Sequence, residues 1–431
     1  MRALFVPFAP SLAHVTRCLA VAEAWRERGH TAVFALGLER SELVRNAGFE
    51  IRPVPEVAST EFRTRGFRWL TREYFVQNLR AEQAILAEVK PDIVVYDFRF
   101  TTTTAARLAD LPSAGIVHGN ALRLALEPRD TARLLIGDPG DTEGLSALRL
   151  RVMRRIFPII FQIVMRTLAR RFAPVLKASS LPPVHSFFEF LLGDEILVAD
   201  IPGMLPAILP RNAHIVGPLM WSGWEMPAPW LGELDSRPLV YVTMGSTVEA
   251  SSTLVRIIEA FRDAPYHVVV TIGHLSLPAD CHLPPHIRVC PSLPGTTVAR
   301  RSRLVVHHGG HETLMQALAA GVPSLMLPLN PDQILVAQQA QSLGLGHSFW
   351  HAGDVPMRPR PCTPAEIRRA ADDLISDRVC LQNCRAVQQL IAASSGGLAA
   401  VDILELIVHK NRDQVASGRV RHRSKQDADP V

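Results

Sequence analysis

VVHHGGHETLMQALAAGVPSLMLPLNPDQ, residues 305–333, is the stretch whose reading decides the fold. Val305 and Val306 close an apolar run; His307, His308, Gly309 and Gly310 follow, and a helix-like segment then extends to Gly321. Gly321 with Pro323 just beyond is the usual punctuation at a helix end. A second apolar run over 324–327 leads to Asp332 and Gln333. Strand, turn, helix and strand in this order make one repeat of a parallel α/β sheet.

The rhythm continues on both sides. Apolar runs at 239–243, 267–272, 287–290, 304–307 and 324–327 predict buried strands, with helices over 253–262, 312–320, 333–341 and 364–376. The N-terminal half has the same pattern, with strands at 3–8, 31–36, 50–54, 93–98 and 114–117 and helices at 15–28 and 74–89. Between the halves GPLMWSGWEMPAPW, residues 217–230, is too rich in Pro, Gly and Trp to continue a helix. The expected architecture is therefore α/β: two Rossmann-like, doubly wound domains facing a cleft. The divisions are 1–216, a linker over 217–235, 236–409, and a polar tail over 410–431 that frays.

Composition narrows the function classes. Of 431 residues 48% are hydrophobic and 20% charged, so each half buries a core. The formal charge of +5 is small for this length, and no basic stripe interleaved with aromatics marks a nucleic-acid partner. Six cysteines without a C-x-x-C pair read as reduced thiols of a cytoplasmic protein. MRALFVPFAP lacks the charged region and cleavage site of a secretion signal. No apolar segment reaches the roughly 20 residues of a membrane span.

A helix that starts after a strand offers unpaired N–H groups and the positive end of its dipole to an anion. Gly309 and Gly310 let a phosphate approach the backbone, and His308 or Thr313 can add a hydrogen bond. Asp332 and Gln333 arrive at the same edge, where a carboxylate and an amide suit sugar hydroxyls. A tight turn with a capped helix has the same pattern.

The stretch resembles the signature of the UDP-glycosyltransferase superfamily, especially its bacterial branch acting on antibiotics and other natural products. His307, His308, Gly309, Gly310, Thr313, ALAAGVP at 317–323, Pro328, Asp332 and Gln333 meet the family pattern with spacing preserved. VGPLMW at 216–221, VYVTMGS at 240–246 and SSGG at 394–397 extend the likeness over most of the chain. The resemblance implies the GT-B fold, with an N-terminal acceptor domain and a C-terminal nucleotide-sugar domain. It also implies that His308, Thr313 and the backbone of Gly309 and Gly310 hold a diphosphate, joined by Gly245 and Ser246. Leu293 falls where the base packs, Gln316 where a ribose-binding acid is usual, and Asp332 and Gln333 where the sugar is held. This chain departs from the pattern at His311 and Glu312. Glu312 either points away from the diphosphate or pairs with a cation such as an amino group on the donor sugar.

Near the N-terminus, APSLAHVTRCLAVAEAWRERGH at 9–30 resembles the family segment that carries the general base, implying that role for His14. Ala13 and Arg17 replace the usual glycine and proline. Asp97 ends another strand at the same edge and matches the acidic partner, which would orient the imidazole. His118, in GIVHGN, also ends a strand and is a candidate acceptor contact or a structural histidine. No metal is expected, since the sole D-x-D, Asp427 to Asp429, lies in the tail.

Residues 148–177, LRLRVMRRIFPIIFQIVMRTLARRFAPVLK, combine arginines with an apolar block that Pro158 interrupts. Three readings fit: helices lining a hydrophobic acceptor pocket, a core helix pair, or a weak membrane-surface patch. Taken together, the expectation is an inverting, metal-independent transferase with no bound cofactor. It would move a sugar from a dTDP- or UDP-sugar to a hydroxyl of a lipophilic small molecule. A lipid-directed transferase at a membrane surface and a non-catalytic sugar-nucleotide-binding auxiliary protein are the other readings.

Overall fold

The apolar runs form the strands of two sheets in the computed structural model, which describes residues 1–136, 145–223, 228–245, 250–278, 283–349 and 362–417. The first sheet contains β1 (Arg2–Pro7), β2 (Thr31–Leu36), β3 (Glu50–Pro53), β4 (Ile93–Asp97), β5 (Ser113–Val117), β6 (Glu195–Val198) and β7 (Ala213–Ile215). The second contains β8 (Leu239–Thr243), β9 (His267–Thr271), β10 (Ile287–Cys290), β11 (Leu304–His307), β12 (Ser324–Met326) and β13 (Gly346–Ser348). Their orders are β3-β2-β1-β4-β5-β6-β7 and β10-β9-β8-β11-β12-β13. Every pairing is parallel.

Both sheets thus run outward in one direction from their first strand and then reverse. The reversals fall between β1 and β4 and between β8 and β11. Helices leave opposite faces on the two sides of such a point, which opens a crevice beyond the carboxyl ends of the strands. The two reversal points position everything in the site below.

β4 and β5 are buried along their whole length, as are β8 to Val242 and all of β11, which is why they read as continuous apolar runs. Three strands carry no such run in the sequence reading. β7 is only Ala213, His214 and Ile215, and β13 only Gly346, His347 and Ser348. β6 sits at the end of a long apolar stretch that blurs its borders.

The helix Gly397–Ala416 is the last among the described residues. It runs on to Ala416. It also packs against the helix Leu12–Glu27 of the first sheet, with Val401, Leu404, Ile407 and Val408 in one apolar cluster with Val15, Leu19 and Trp25. The helix therefore follows the second sheet in sequence and shares a core with the first. Buried aliphatic side chains contribute about 1.5–3 kcal/mol each. The exposed pairs Arg28–Asp402 at 2.5 Å and Arg412–Asp92 at 2.8 Å add roughly 0–1 kcal/mol each. Apolar burial holds the helix down.

Most of the oily segment lies in one helix, Leu145–Arg170, with Pro158 inside it, and its end lies in a second, Ala173–Ala178. Among the described residues no single helix is long and apolar enough to cross a membrane. The bent pair Arg378–Ala393 and Gly397–Ala416 has the length and composition, but the second helix is committed to the packing just described. The tail's D-x-D lies outside the described residues.

Candidate functional site

His14 lies in the first turn of the helix Leu12–Glu27, which begins just beyond β1. The connecting loop is held by Glu56, whose carboxylate accepts from the backbone N–H of Ala9 at 2.9 Å and of Gly37 at 2.6 Å. Glu56 is itself buried against Arg99 at 3.1 Å. Asp97 is the last residue of β4, and its carbonyl accepts from Phe8 N at 3.0 Å, tying the two strand ends together.

His14 Nδ1 lies 2.7 Å from Asp97 Oδ1. With the proton on Nδ1, His14 donates to Asp97, and Nε2 keeps its lone pair and bonds no described residue. Phe98 stacks on the imidazole, with ring centres 4.8 Å apart and planes 8° from parallel. Phe98 holds a left-handed backbone, φ 55°, which turns its ring back over the histidine. Phe8, Trp69, Phe62, Phe67 and Phe100 continue an aromatic wall on this side.

Arg17 is the member of this group that sequence reasoning treated only as a loop substitution. Its Nε donates to Asp97 Oδ2 at 2.7 Å and its Nη2 to Oδ1 at 3.0 Å, a two-pronged grip on a buried carboxylate. Nη2 also lies 2.8 Å from His14 Nδ1. Burial alone would raise the Asp97 carboxyl, but Arg17, and then His14, outweigh it and hold it at about 2. Asp97 is thus an anion throughout the working range.

The second half of the site forms at the other reversal point. Gly245 follows β8 with φ 70°, and a Cβ there would come within 2.4 Å of His308 Cε1. A Cβ on Gly310 would come within 2.4 Å of His308 Nε2. The His308 ring is therefore wedged between two bare backbones, which explains glycine at both positions. Burial pushes His308 down to about 4, against the opposing pull of the Thr243 carbonyl and the Asp332 carboxylate. It is neutral near pH 7, so it can contribute a hydrogen bond but no full charge.

His307 plays another part. Its Nδ1 accepts from Gly309 N at 3.1 Å, bracing the turn from inside. Gly309, φ 81°, sits so close to the Gln333 carbonyl that a Cβ would approach it to 2.9 Å. Gly310 caps the helix His311–Ala319, whose first N–H groups face the end of the turn, with Thr313 half-buried in that first turn. Gln316 lies over Gly295, where a Cβ would meet its Oε1 at 2.2 Å; this brings Gln316 beside the loop of Leu293 and Pro294. Leu293 and Trp230 pack against the same apolar cluster, and Ser246 lies outside the described residues.

Of the two residues expected to hold a sugar, only Asp332 is open, with 47% of its side chain exposed. Gln333 is buried, and its Oε1 accepts from Leu329 N at 2.8 Å. That carbonyl shapes the loop, leaving the amide nitrogen for any ligand.

The two rims meet across the crevice. His118 caps the helix Gly119–Leu126 beyond β5, and its Nε2 lies 3.5 Å from Asp332 Oδ1. Its ring stacks on His311 of the other rim at 4.8 Å and 18°. Burial pushes His118 down to about 4, with Asp332 opposing. His311 Nε2 lies 3.2 Å from Asp200 Oδ2, out of line for a hydrogen bond. Asp200 accepts from Gly119 N and Ile201 N, each at 2.8 Å. Asp200 escaped the sequence reading because it follows β6, the strand whose borders were blurred.

Glu312 is half-buried at this junction, and burial raises its carboxyl despite the nearby charges of Arg17 and His311. Gln316, one turn on along the same helix, hydrogen-bonds to it. Among the departures from the family pattern, Arg17 on one rim and Glu312 on the other carry opposite charges.

The chain is similar to several known proteins. Residues 256–404 match the family described as "Erythromycin biosynthesis protein CIII-like, C-terminal domain". The chain is 30% identical over 355 residues to a PGL/p-HBAD biosynthesis glycosyltransferase of Mycobacterium tuberculosis (strain ATCC 25177 / H37Ra), covering 80% of each. Among solved structures it superposes on spinosyn forosaminyltransferase SpnP with a TM-score of 0.70 at 19% identity, covering 95% of this chain and 99% of that one. It superposes on glycosyltransferase VinC in complex with DTDP with a TM-score of 0.67 at 19% identity, covering 95% and 100%.

Proposed function

The chain belongs to the GT-B glycosyltransferases of the UDP-glycosyltransferase superfamily, in the branch that glycosylates natural products, and from that premise we propose the reaction it carries out. It transfers a sugar from a nucleoside diphosphate to a hydroxyl of a lipophilic small molecule, with inversion at the anomeric carbon and without a metal. The observation that carries this reading is the pairing of His14 with Asp97 at one reversal point, opposite His308 and a helix start at the other.

The acceptor oxygen attacks the anomeric carbon as the bond from that carbon to the diphosphate oxygen breaks. The hydroxyl proton passes to His14 Nε2. Asp97, kept ionised by Arg17, stabilises the imidazolium that results. Attack from the side opposite the leaving group inverts the anomeric centre. The departing diphosphate gains negative charge, which the N–H groups at the start of the helix His311–Ala319 and an N–H of His308 receive. Those donors do the work a divalent cation does in other transferases. Asp332 would bond sugar hydroxyls, releasing its loose contact with His118.

The aromatic wall around Phe98 favours a lipophilic acceptor beside His14. A thymidine or uridine diphosphate is the donor nucleotide of choice; the former is the ligand named with the structurally similar VinC.

The test combines binding with turnover. Thermal shifts with dTDP, UDP and GDP identify the nucleotide, because binding stabilises the folded state with the logarithm of ligand excess. The matching sugar donor is then offered with a panel of hydrophobic alcohols and phenols. His14→Ala is expected to lose about a thousandfold or more in transfer while keeping the nucleotide's thermal shift. NMR of the product should give the opposite anomer to the donor's, and EDTA should leave the rate unchanged. Near-normal turnover by His14→Ala, or a retained anomeric configuration, rejects the mechanism.

A further inference from the structure

The helix Leu145–Arg170 has two apolar faces, and only one is covered. Phe157, Phe161, Met165 and Leu168 pack against the core of the first sheet. On the other side Leu148, Val152, Ile156, Ile159, Ile160 and Ile163 stand in solvent, from 46% exposed at Val152 to 59% at Leu148. Their spacing of three and four residues lays them in one stripe along the helix. The same helix exposes Arg149, Arg151, Arg155, Arg166 and Arg170 and contains no aspartate or glutamate.

We propose that this face docks on an anionic lipid surface. A continuous aliphatic stripe of this length is unusual on a soluble surface and marks a place where something binds. Charge selects the partner. A second copy seated on the stripe would set arginines against arginines with no carboxylate on the helix to answer them. A neutral apolar partner would leave the arginines idle. Anionic lipid satisfies both features, with aliphatic side chains entering the acyl boundary and guanidinium groups meeting headgroup charge. The helix packs on the segment Phe187–Leu191, and Phe187 stacks on Phe100 at 4.6 Å within the aromatic wall beside His14. A docked chain would hold that wall close to the lipid. Docking does not depend on the transfer reaction, and an inactive chain would show it equally.

The full chain is sedimented with vesicles of phosphatidylcholine alone and with vesicles of equimolar phosphatidylcholine and phosphatidylglycerol, each at low and high salt. The expected result is roughly tenfold or stronger preference for the mixed vesicles, weakened by salt. An Ile159→Gln, Ile163→Gln variant should lose binding, and an Arg155→Gln, Arg166→Gln variant should lose the preference for anionic lipid. All four positions are exposed, and thermal melts confirm that each variant folds; if the first does not, the arginine variant carries the test. No binding of the unaltered chain to mixed vesicles overturns the proposal, as does unchanged binding by a folded variant. So does sedimentation-velocity evidence of a dimer that Ile159→Gln, Ile163→Gln dissociates, since the stripe would then be an interface between copies.

Discussion

Asp97 answers to two partners at once, and this sets what His14 can do. The contact between His14 and Asp97 was legible because both residues end or follow strands at one sheet edge. Arg17's grip on Asp97 was not, because a residue three positions along the same helix reveals nothing about a partner 80 residues away. Glu312 was equally opaque: the charge of Arg17 that acts on it comes from the other rim, which only folding brings near. Two other residues make a prediction in pH. His118 and His308 are both pushed from 6.5 to about 4 by burial. The unfolded chain takes up protons on them below about pH 6.5, while the folded chain resists until near 4. Their contribution to stability is therefore complete above the unfolded value, declines as pH falls between the two, and does not decline further below the lower one. Thermal melts of His308→Gln between pH 7 and 4 should show a shallower loss than the unaltered chain. Identical slopes would mean that His308 is not buried in its neutral form.

At the scale of elements, the turns after β8 and β11 act as one unit, since glycines from both hold the His308 ring. The motif around 307–310 announced itself in the sequence, but the interlock with Gly245 did not, because it joins two strands that are neighbours only in the sheet. Gly245→Ala is expected to cost about 1–3 kcal/mol from the positive φ, plus displacement of His308. Nucleotide affinity should fall by roughly tenfold or more, read by calorimetry, with the fold kept by circular dichroism. Unchanged affinity would show that His308 has no part in nucleotide binding. The strands the sequence reading missed are instructive for the opposite reason. β7 and β13 are three residues each, and their pairing with the neighbouring strand supplies what their own side chains do not.

The two sheets share one strand order, the first with a strand more, and the repeated rhythm of apolar runs conveyed their likeness before any contact was known. What the rhythm could not convey is how the two are strapped together. The helix Gly397–Ala416 follows the second sheet in sequence yet shares a core with Leu12–Glu27, the helix that carries His14. An amphipathic pattern names the face to be buried but not the neighbour that buries it. Truncation before Gly397 should therefore destabilise the first sheet, exposing Val15, Leu19 and Trp25, with a cooperative melt lowered by many degrees or lost. Arg28→Ala, which removes only exposed ion pairs, should shift stability by less than about 1 kcal/mol. A truncated chain as stable as the full one would contradict this packing.

The most direct measurement of the central claim is a crystal structure of the chain with thymidine diphosphate. The account predicts the diphosphate against the N–H groups that open the helix His311–Ala319, within hydrogen-bond reach of His308. Its outer phosphate should point across the crevice toward His14. A diphosphate bound elsewhere, or pointing away from His14, would contradict it.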